Sequence, residues 1–242
     1  MNATSANQQL ITQGYCVLPS VFEGAMVARF RDAVLGSLDM MGKTRNIEHS
    51  RHLAGFHRFP QLTTLHSELV SNPAVNSFLQ SYFKASPYYA IGLSDITINR
   101  SQEWHTDLLR GKFGSFLPEG LAWKVSHPGC LKALVYLQPG KSLRIVPGSH
   151  LSPTPLDDRE LDKLAQASEH VQLELNAGDV VMMDIRALHR GSTVDQMSDP
   201  ELALNPKILV STVFGPIGSG FAQAMQLGNA HRLMEWDQRY LA

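Results

Sequence analysis

LKALVYLQPGKSLRIVPGSH, residues 131–150, holds two short apolar runs, Leu131–Leu137 and Leu143–Val146, parted by a turn through Pro139 and Gly140. A second turn, Pro147-Gly148, closes the stretch. Proline and glycine at these points end extended segments and prevent a helix from running through. The same punctuation continues outward in both directions. It gives further strands at Tyr88–Leu93, Asp95–Asn99, Trp104–Asp107, Val171–Leu175, Val180–Asp184 and Lys207–Phe214. Many short strands spaced in this way predict an antiparallel sandwich or barrel.

Helices flank this β-core. Tyr15–Leu18 reads as a short strand. From about Glu23 to Met41, Val27, Phe30, Val34 and Leu38 recur at helical spacing. A second helical stretch covers Thr63–Lys84, interrupted near Asn72-Pro73. A short helix is expected at Asp157–His170 and another at Phe221–Leu241. The class is α+β, and residues 1–242 read as a single domain. Between the first two helices, Gly42–Pro60 carries Arg45, His49, Arg51, His52, His57 and Arg58. It reads as an irregular, mobile loop.

Composition narrows the function. Apolar residues make up 43% and charged residues 18%, with a net charge of −1. Nothing is basic enough to predict a nucleic-acid surface. No apolar run is long enough to span a bilayer, and the N-terminus has no signal-peptide pattern. Cys16 and Cys130 form no CxxC pattern and read as free thiols, so a cytoplasmic location is expected. The expected partner is a small molecule; the sequence carries no indication of oligomeric state.

The chemistry is concentrated in QEWHTD (102–107) and ALHRGS (187–192). In an extended strand alternate side chains share a face, so His105 and Asp107 point the same way. A second histidine from a distant strand would complete a two-histidine, one-carboxylate face. That face suits non-haem iron(II), because three positions stay open, two for a bidentate 2-oxo acid and one for O2. His150, which closes the tight turn PGSH where a histidine more often caps or packs, and His189, which follows a strand, are the candidates for the second imidazole. His66, His127, His170 and His231 have no partner pattern.

Four stretches, taken together, resemble the phytanoyl-CoA dioxygenase-like family of iron(II)/2-oxoglutarate oxygenases. ITQGYCVLPSVFEGAMVARFRDAV (11–34) is similar to its N-terminal strand and helix, and NRSQEWHTD (99–107) to its HxD segment. LKALVYLQPGKSLRIVPGSH resembles its central strand pair, and AGDVVMMDIRALHRGS (177–192) the strand presenting the last ligand. The resemblance implies a double-stranded β-helix, a jelly roll of cupin type, with flanking helices. It implies His105, Asp107 and His189 as catalytic metal ligands, and Fe(II), 2-oxoglutarate and O2 as cofactor and co-substrates. The family's halogenases carry a small residue where Asp107 stands, so the carboxylate implies hydroxylation or a related oxidation.

The family also places a basic residue, usually Arg, after the last histidine to hold the co-substrate's distal carboxylate. NPKILVSTVF (205–214) offers Lys207 instead, with Ser211 on the same strand face. Arg190, Lys132 and Arg144 are alternatives. Gln102 resembles a family glutamine near the co-substrate, although strict alternation puts it on the face opposite His105. On the substrate side, Arg51, His52 and Arg58 predict affinity for an anionic metabolite or natural-product intermediate. A cupin-like metal protein or oxygenase that does not use 2-oxoglutarate is the alternative.

Overall fold

The computed structural model describes residues 3–124, 128–154 and 157–240. Two antiparallel sheets face each other. The larger has seven strands in the order β1-β8-β5-β10-β4-β3-β2. These are β1 (Tyr15–Leu18), β2 (Gly42–Lys43), β3 (Arg51–Ala54), β4 (Tyr88–Ile98), β5 (Leu131–Tyr136), β8 (Val180–Asp184) and β10 (Ile208–Pro216). The smaller, ordered β7-β6-β9, comprises β6 (Arg144–Ile145), β7 (Val171–Gln172) and β9 (His189–Arg190). This is the expected jelly-roll core.

The pleat of the large sheet separates two environments. Ile96, Ile98, Ala133, Val135, Val180, Met182, Ile208 and Val210 face outward and are buried. They are covered by helices α1 (Ala3–Gln13), α2 (Gly24–Leu35), α3 (Thr63–Val70) and α4 (Pro73–Tyr82), which contribute Leu10, Phe30, Val34, Leu69 and Phe78 to the same core. The alternate residues face the small sheet. There Leu134 and Val181 pack with Leu143, Ile145, Leu173 and Leu175. The helix break expected near Asn72 is a cap: its side chain accepts from the backbone N–H of Ala74 and Val75, and Pro73 opens α4.

Several local expectations change. The two strands expected at Tyr88–Leu93 and Asp95–Asn99 are one, β4. Gly92 adopts φ +82° within it, and the ladder to β10 shifts register between Thr212 and Phe214 to absorb the irregularity. Gly42–Pro60 is not a loop throughout, because β2 and β3 inside it extend the large sheet from the edge of β4. Trp104–Asp107 forms no continuous strand; His105 pairs with His189 as an isolated bridge. The helix from Glu23 stops at Leu35, and the short helix at Asp158–Gln166 (α6) stops before His170. Helix α1 and the four-residue helix α5 (Leu121–Lys124) were not legible from periodicity.

A four-residue helix, α7 (Val194–Met197), follows β9, and the long helix α8 (Gly220–Tyr240) follows β10. Leu241 lies outside the described residues. Helix α8 presses on the turn Gly111–Phe116, and a Cβ on Gly228 would lie 2.2 Å from the Phe113 carbonyl oxygen. Among the described residues, no helix is long and apolar enough to cross a membrane.

Candidate active site

His105, Asp107 and His189 converge between the two sheets, with ligand-capable atoms all within 4.8 Å of one another. The backbone explains how. His105 and His189 exchange two N–H···O bonds of 2.9 Å, and Asp107 N–H donates to Ile185 at 2.8 Å. Two residues on one chain (105 to 107) therefore span four on the other (189 to 185). The irregularity ends the ladder but leaves both side chains on the cavity side. His105 Nε2 lies 3.9 Å from Asp107 Oδ1, and His189 Nε2 lies 3.7 Å from Oδ2.

Each ring is oriented from behind. His105 Nδ1 donates to the Glu103 carbonyl at 2.6 Å, and His189 Nδ1 to the Ala187 carbonyl at 3.0 Å. With Nδ1 carrying the proton, each Nε2 presents a lone pair to the shared point. Burial pushes both imidazoles below their ordinary values and keeps them neutral. Burial alone would raise the Asp107 carboxyl. The Lys132 ammonium, 2.9 and 3.0 Å from its two oxygens, outweighs that and holds it well below the usual carboxylate range.

The three residues open onto a cavity of about 200 Å³. Its floor is the inner face of the large sheet, including Asp95, Leu134, Tyr136, Leu209 and Ser211. Gln102 also lines it, against the alternation-based expectation. No regular strand exists at 102–105 to enforce alternation; instead Gln102 brackets Ser192 and Gly191 through two backbone hydrogen bonds of 2.9 Å. Lys207 stands beside this lining, its Nζ 5.8 Å over the Tyr136 ring and 2.7 Å from Ser192 Oγ. It also bonds Ser142 Oγ. Burial lowers its ammonium to about 8, and it has no acidic partner among the described residues.

Other candidates fall outside. Arg190 does not line the cavity, because it alternates with His189 on β9 and lies 5.5 Å over the outer Trp104 ring. Arg144 pairs with Gln172. Arg51 donates to the Glu48 and Ser50 carbonyls, and Arg58 makes a two-pronged ion pair with Asp237 at 2.7 and 2.9 Å; neither reaches the cavity. His52 touches it only through Asp95, 3.3 Å away. His150 is a packing residue, its Nε2 bonded to the Ile11 carbonyl and its ring against Gly14. His66 meets Ser94, His170 the Trp104 ring and His231 the Phe116 ring. His127 lies outside the described residues.

The family model for phytanoyl-CoA dioxygenase (PhyH) matches residues 11–195. The chain belongs to the PhyH family. No match is found among curated proteins. Solved structures of similar fold include the non-haem α-ketoglutarate-dependent carbocyclase SnoK from nogalamycin biosynthesis, with TM-score 0.67, 18% identity, and 89% of this chain and 86% of that one covered. The epimerase SnoN, solved with Fe3+, α-ketoglutarate and nogalamycin RO, gives TM-score 0.64, 18% identity and coverages of 88% and 83%. HygX from Streptomyces hygroscopicus, solved with nickel, 2-oxoglutarate and hygromycin B, gives TM-score 0.62, 16% identity and coverages of 88% and 87%.

For a PhyH protein, the donor set fits a divalent metal on its own terms. His105 Nε2 is buried without a hydrogen-bond partner, aimed at a carboxylate, beside a second imidazole held in the same tautomer. A cation between them would satisfy that orphaned atom.

Two arginines at the site carry no signal in the sequence. Arg232, on α8, makes a two-pronged pair of 2.8 Å with Asp95 on β4. Burial would raise Asp95, but Arg232 and His52 hold it well below its ordinary range. Arg100 lines the cavity just after the end of β4. Removing the Asp95 charge leaves Arg232 unpaired, so Asp95→Asn is expected to cost roughly 3 kcal/mol, the low end for a buried pair because both groups keep some exposure. Urea denaturation of wild type and variant measures it; an unchanged midpoint would show that the pair contributes nothing.

Proposed function

We propose that this PhyH-family chain, acting as one domain over residues 1–242, is an iron(II)- and 2-oxoglutarate-dependent dioxygenase that hydroxylates or otherwise oxidises a small anionic metabolite. The observation that carries this reading is the pair of neutral, backbone-oriented imidazoles facing one ionised carboxylate at the mouth of a small cavity. Iron(II) with 2-oxoglutarate supplies the power to oxidise an unactivated C–H bond with O2, the co-substrate being decarboxylated to succinate.

The chain's own residues do the rest. His105 and His189 offer Nε2 lone pairs, and Asp107 offers a charge kept ionised by Lys132. Three protein donors leave room for a bidentate 2-oxo acid and O2. Lys207 is the proposed partner of the distal carboxylate, because its ammonium is buried among hydroxyls with no counter-charge. Its flexible stem allows a serine contact to be exchanged for a carboxylate. Gln102 and Ser211 line the chamber as further polar contacts. Leu134, Tyr136, Leu143 and Leu209 keep water from the reacting centre. At about 200 Å³ the cavity is smaller than the ~300–1,000 Å³ of pockets for drug-sized ligands, which favours a small substrate or one only partly enclosed. Where the C–H bond lies decides between hydroxylation, desaturation and ring closure.

The test is anaerobic titration of the metal-free protein with iron(II) and then 2-oxoglutarate, followed by admission of O2. Stoichiometric binding of both and slow formation of succinate are expected. Binding of metal without 2-oxoglutarate or succinate would overturn the reading.

A further inference from the structure

We propose that Arg100 is the recognition residue for an oxyanion group on the primary substrate, at the β3–β4 side of the cavity and apart from the co-substrate position at Lys207. The inference rests on the dioxygenase reading and names the substrate chemistry that reading leaves open.

Among the described residues, the other two cations lining the cavity are each paired with a carboxylate. Lys132 is bonded to Asp107, and Arg232 is bonded twice to Asp95. The Arg100 side chain has no hydrogen-bond acceptor among the described residues, and its Nε is buried without a partner. A guanidinium in that position is costly unless something completes it. The charges it feels include two cations, Arg45 and Arg232, and two carboxylates, Asp95 and Asp107, that already have partners. Burial, then Arg45, lowers it to about 10, so it stays charged near neutrality. The Lys207 ammonium is held by Ser142 and Ser192, outside the cavity lining to which Arg100 belongs, which sets the two cations in different places.

The backbone under Arg100 is fixed in advance. Asn99 is 1% exposed and turns the chain at φ +47°. Its N–H donates to the Lys207 carbonyl and its Oδ1 accepts from Lys207 N–H, while Nδ2 donates to the His49 and Leu202 carbonyls. The next residue is thus held firmly on a rigid turn with an uncommitted fork of N–H donors. Such a fork fits the geometry of carboxylate or phosphate. The anion specificity expected of Arg51, His52 and Arg58 is thereby reassigned to a residue that lines the chamber.

The experiment uses the full chain loaded with cobalt(II) and 2-oxoglutarate, with inorganic phosphate as the probe and acetate as a second arm. Saturable 31P broadening is expected in the wild type. Arg100→Met should weaken phosphate at least tenfold, with 2-oxoglutarate affinity, read from the cobalt absorption, unchanged. Arg100→Lys should recover part of the loss. Because the guanidinium has no hydrogen-bond partner among the described residues, the Tm of Arg100→Met should hold or rise, whereas a structural arginine would lower it. Phosphate binding without acetate binding points to a phosphoryl-type head group; acetate competing equally points to a carboxylate; either supports the inference. It is overturned if the wild type gives no saturable broadening, if broadening survives in Arg100→Met, or if that variant loses 2-oxoglutarate instead. Failure of wild type to bind cobalt or 2-oxoglutarate is seen separately, and removes the dioxygenase reading and this inference together.

Discussion

Asp107→Ala is expected to lose divalent metal binding by at least ~100-fold, beyond the 10–100-fold typical for groups that only orient a ligand, and to lose succinate formation with it. It should also be less stable. Lys132 sits against both Asp107 oxygens, with side chains only 12% and 11% exposed. Removing the carboxylate strands an ammonium in the interior, which costs about 3–5 kcal/mol for a fully buried pair. For a chain of this size that corresponds to a Tm fall of roughly 6–20 °C. The double variant Asp107→Ala/Lys132→Met separates the two effects. It removes both charges, so thermal stability should largely return while metal binding does not. Calorimetry on both proteins, with metal titrations beside it, makes the check. Recovery of metal binding in the double variant would mean that Asp107 serves only to neutralise Lys132.

Lys207→Met is expected to weaken 2-oxoglutarate by roughly 10–150-fold, the equivalent of ~1.5–3 kcal/mol for a hydrogen bond to a charged group, with metal affinity unchanged. The contact is one charge on a residue that touches neither imidazole nor Asp107. Its pH dependence gives an independent readout. Lys207 faces the hydroxyls of Ser142 and Ser192 and the Tyr136 ring, whose phenol burial keeps protonated. Burial has lowered its ammonium to about 8. Below that pH the free protein presents the charge and affinity is flat. Above it, binding must first take up a proton, so affinity falls by up to about tenfold per pH unit until the raised pKa of the complex is reached. Lys207→Arg, which stays protonated, should bind without that slope. Equal 2-oxoglutarate affinity in wild type and Lys207→Met would move the co-substrate to another cation, with Arg100 next in line.

The sequence carried the β-core and the metal-facing trio for different reasons. Strands such as Val180–Asp184 announce themselves through local apolar runs bounded by turns, and a two-sheet roll follows from their number. His105 and Asp107 were found by assuming a regular strand that does not exist. The assumption succeeded because a slipped ladder still keeps both on one side, and it failed for Gln102, where no ladder enforces the alternation. Arg51, Arg58 and Arg190 looked free because a sequence does not display the carbonyls, Asp237 and Trp104 that occupy them. Arg232 was invisible for the opposite reason. Its partner Asp95 is 137 residues away, and within α8 it reads as one more exposed helix charge. Arg100 gave no pattern at all, being a single arginine after a turn.

The contact between Gly228 and Phe113 bears on how such a chamber can be retooled. Leu109, in the wall, touches the same glycine, and Arg232 follows one turn later on α8. The Gly111–Phe116 turn and the helix meet at Gly228 with no glycine side chain as a spacer whose trimming could bring them closer. A lineage or an engineer seeking to admit a bulkier molecule therefore has to carve side chains from the walls, leaving the position of Arg232, and the charge it balances at Asp95, as a fixed boundary of what the roll can accept.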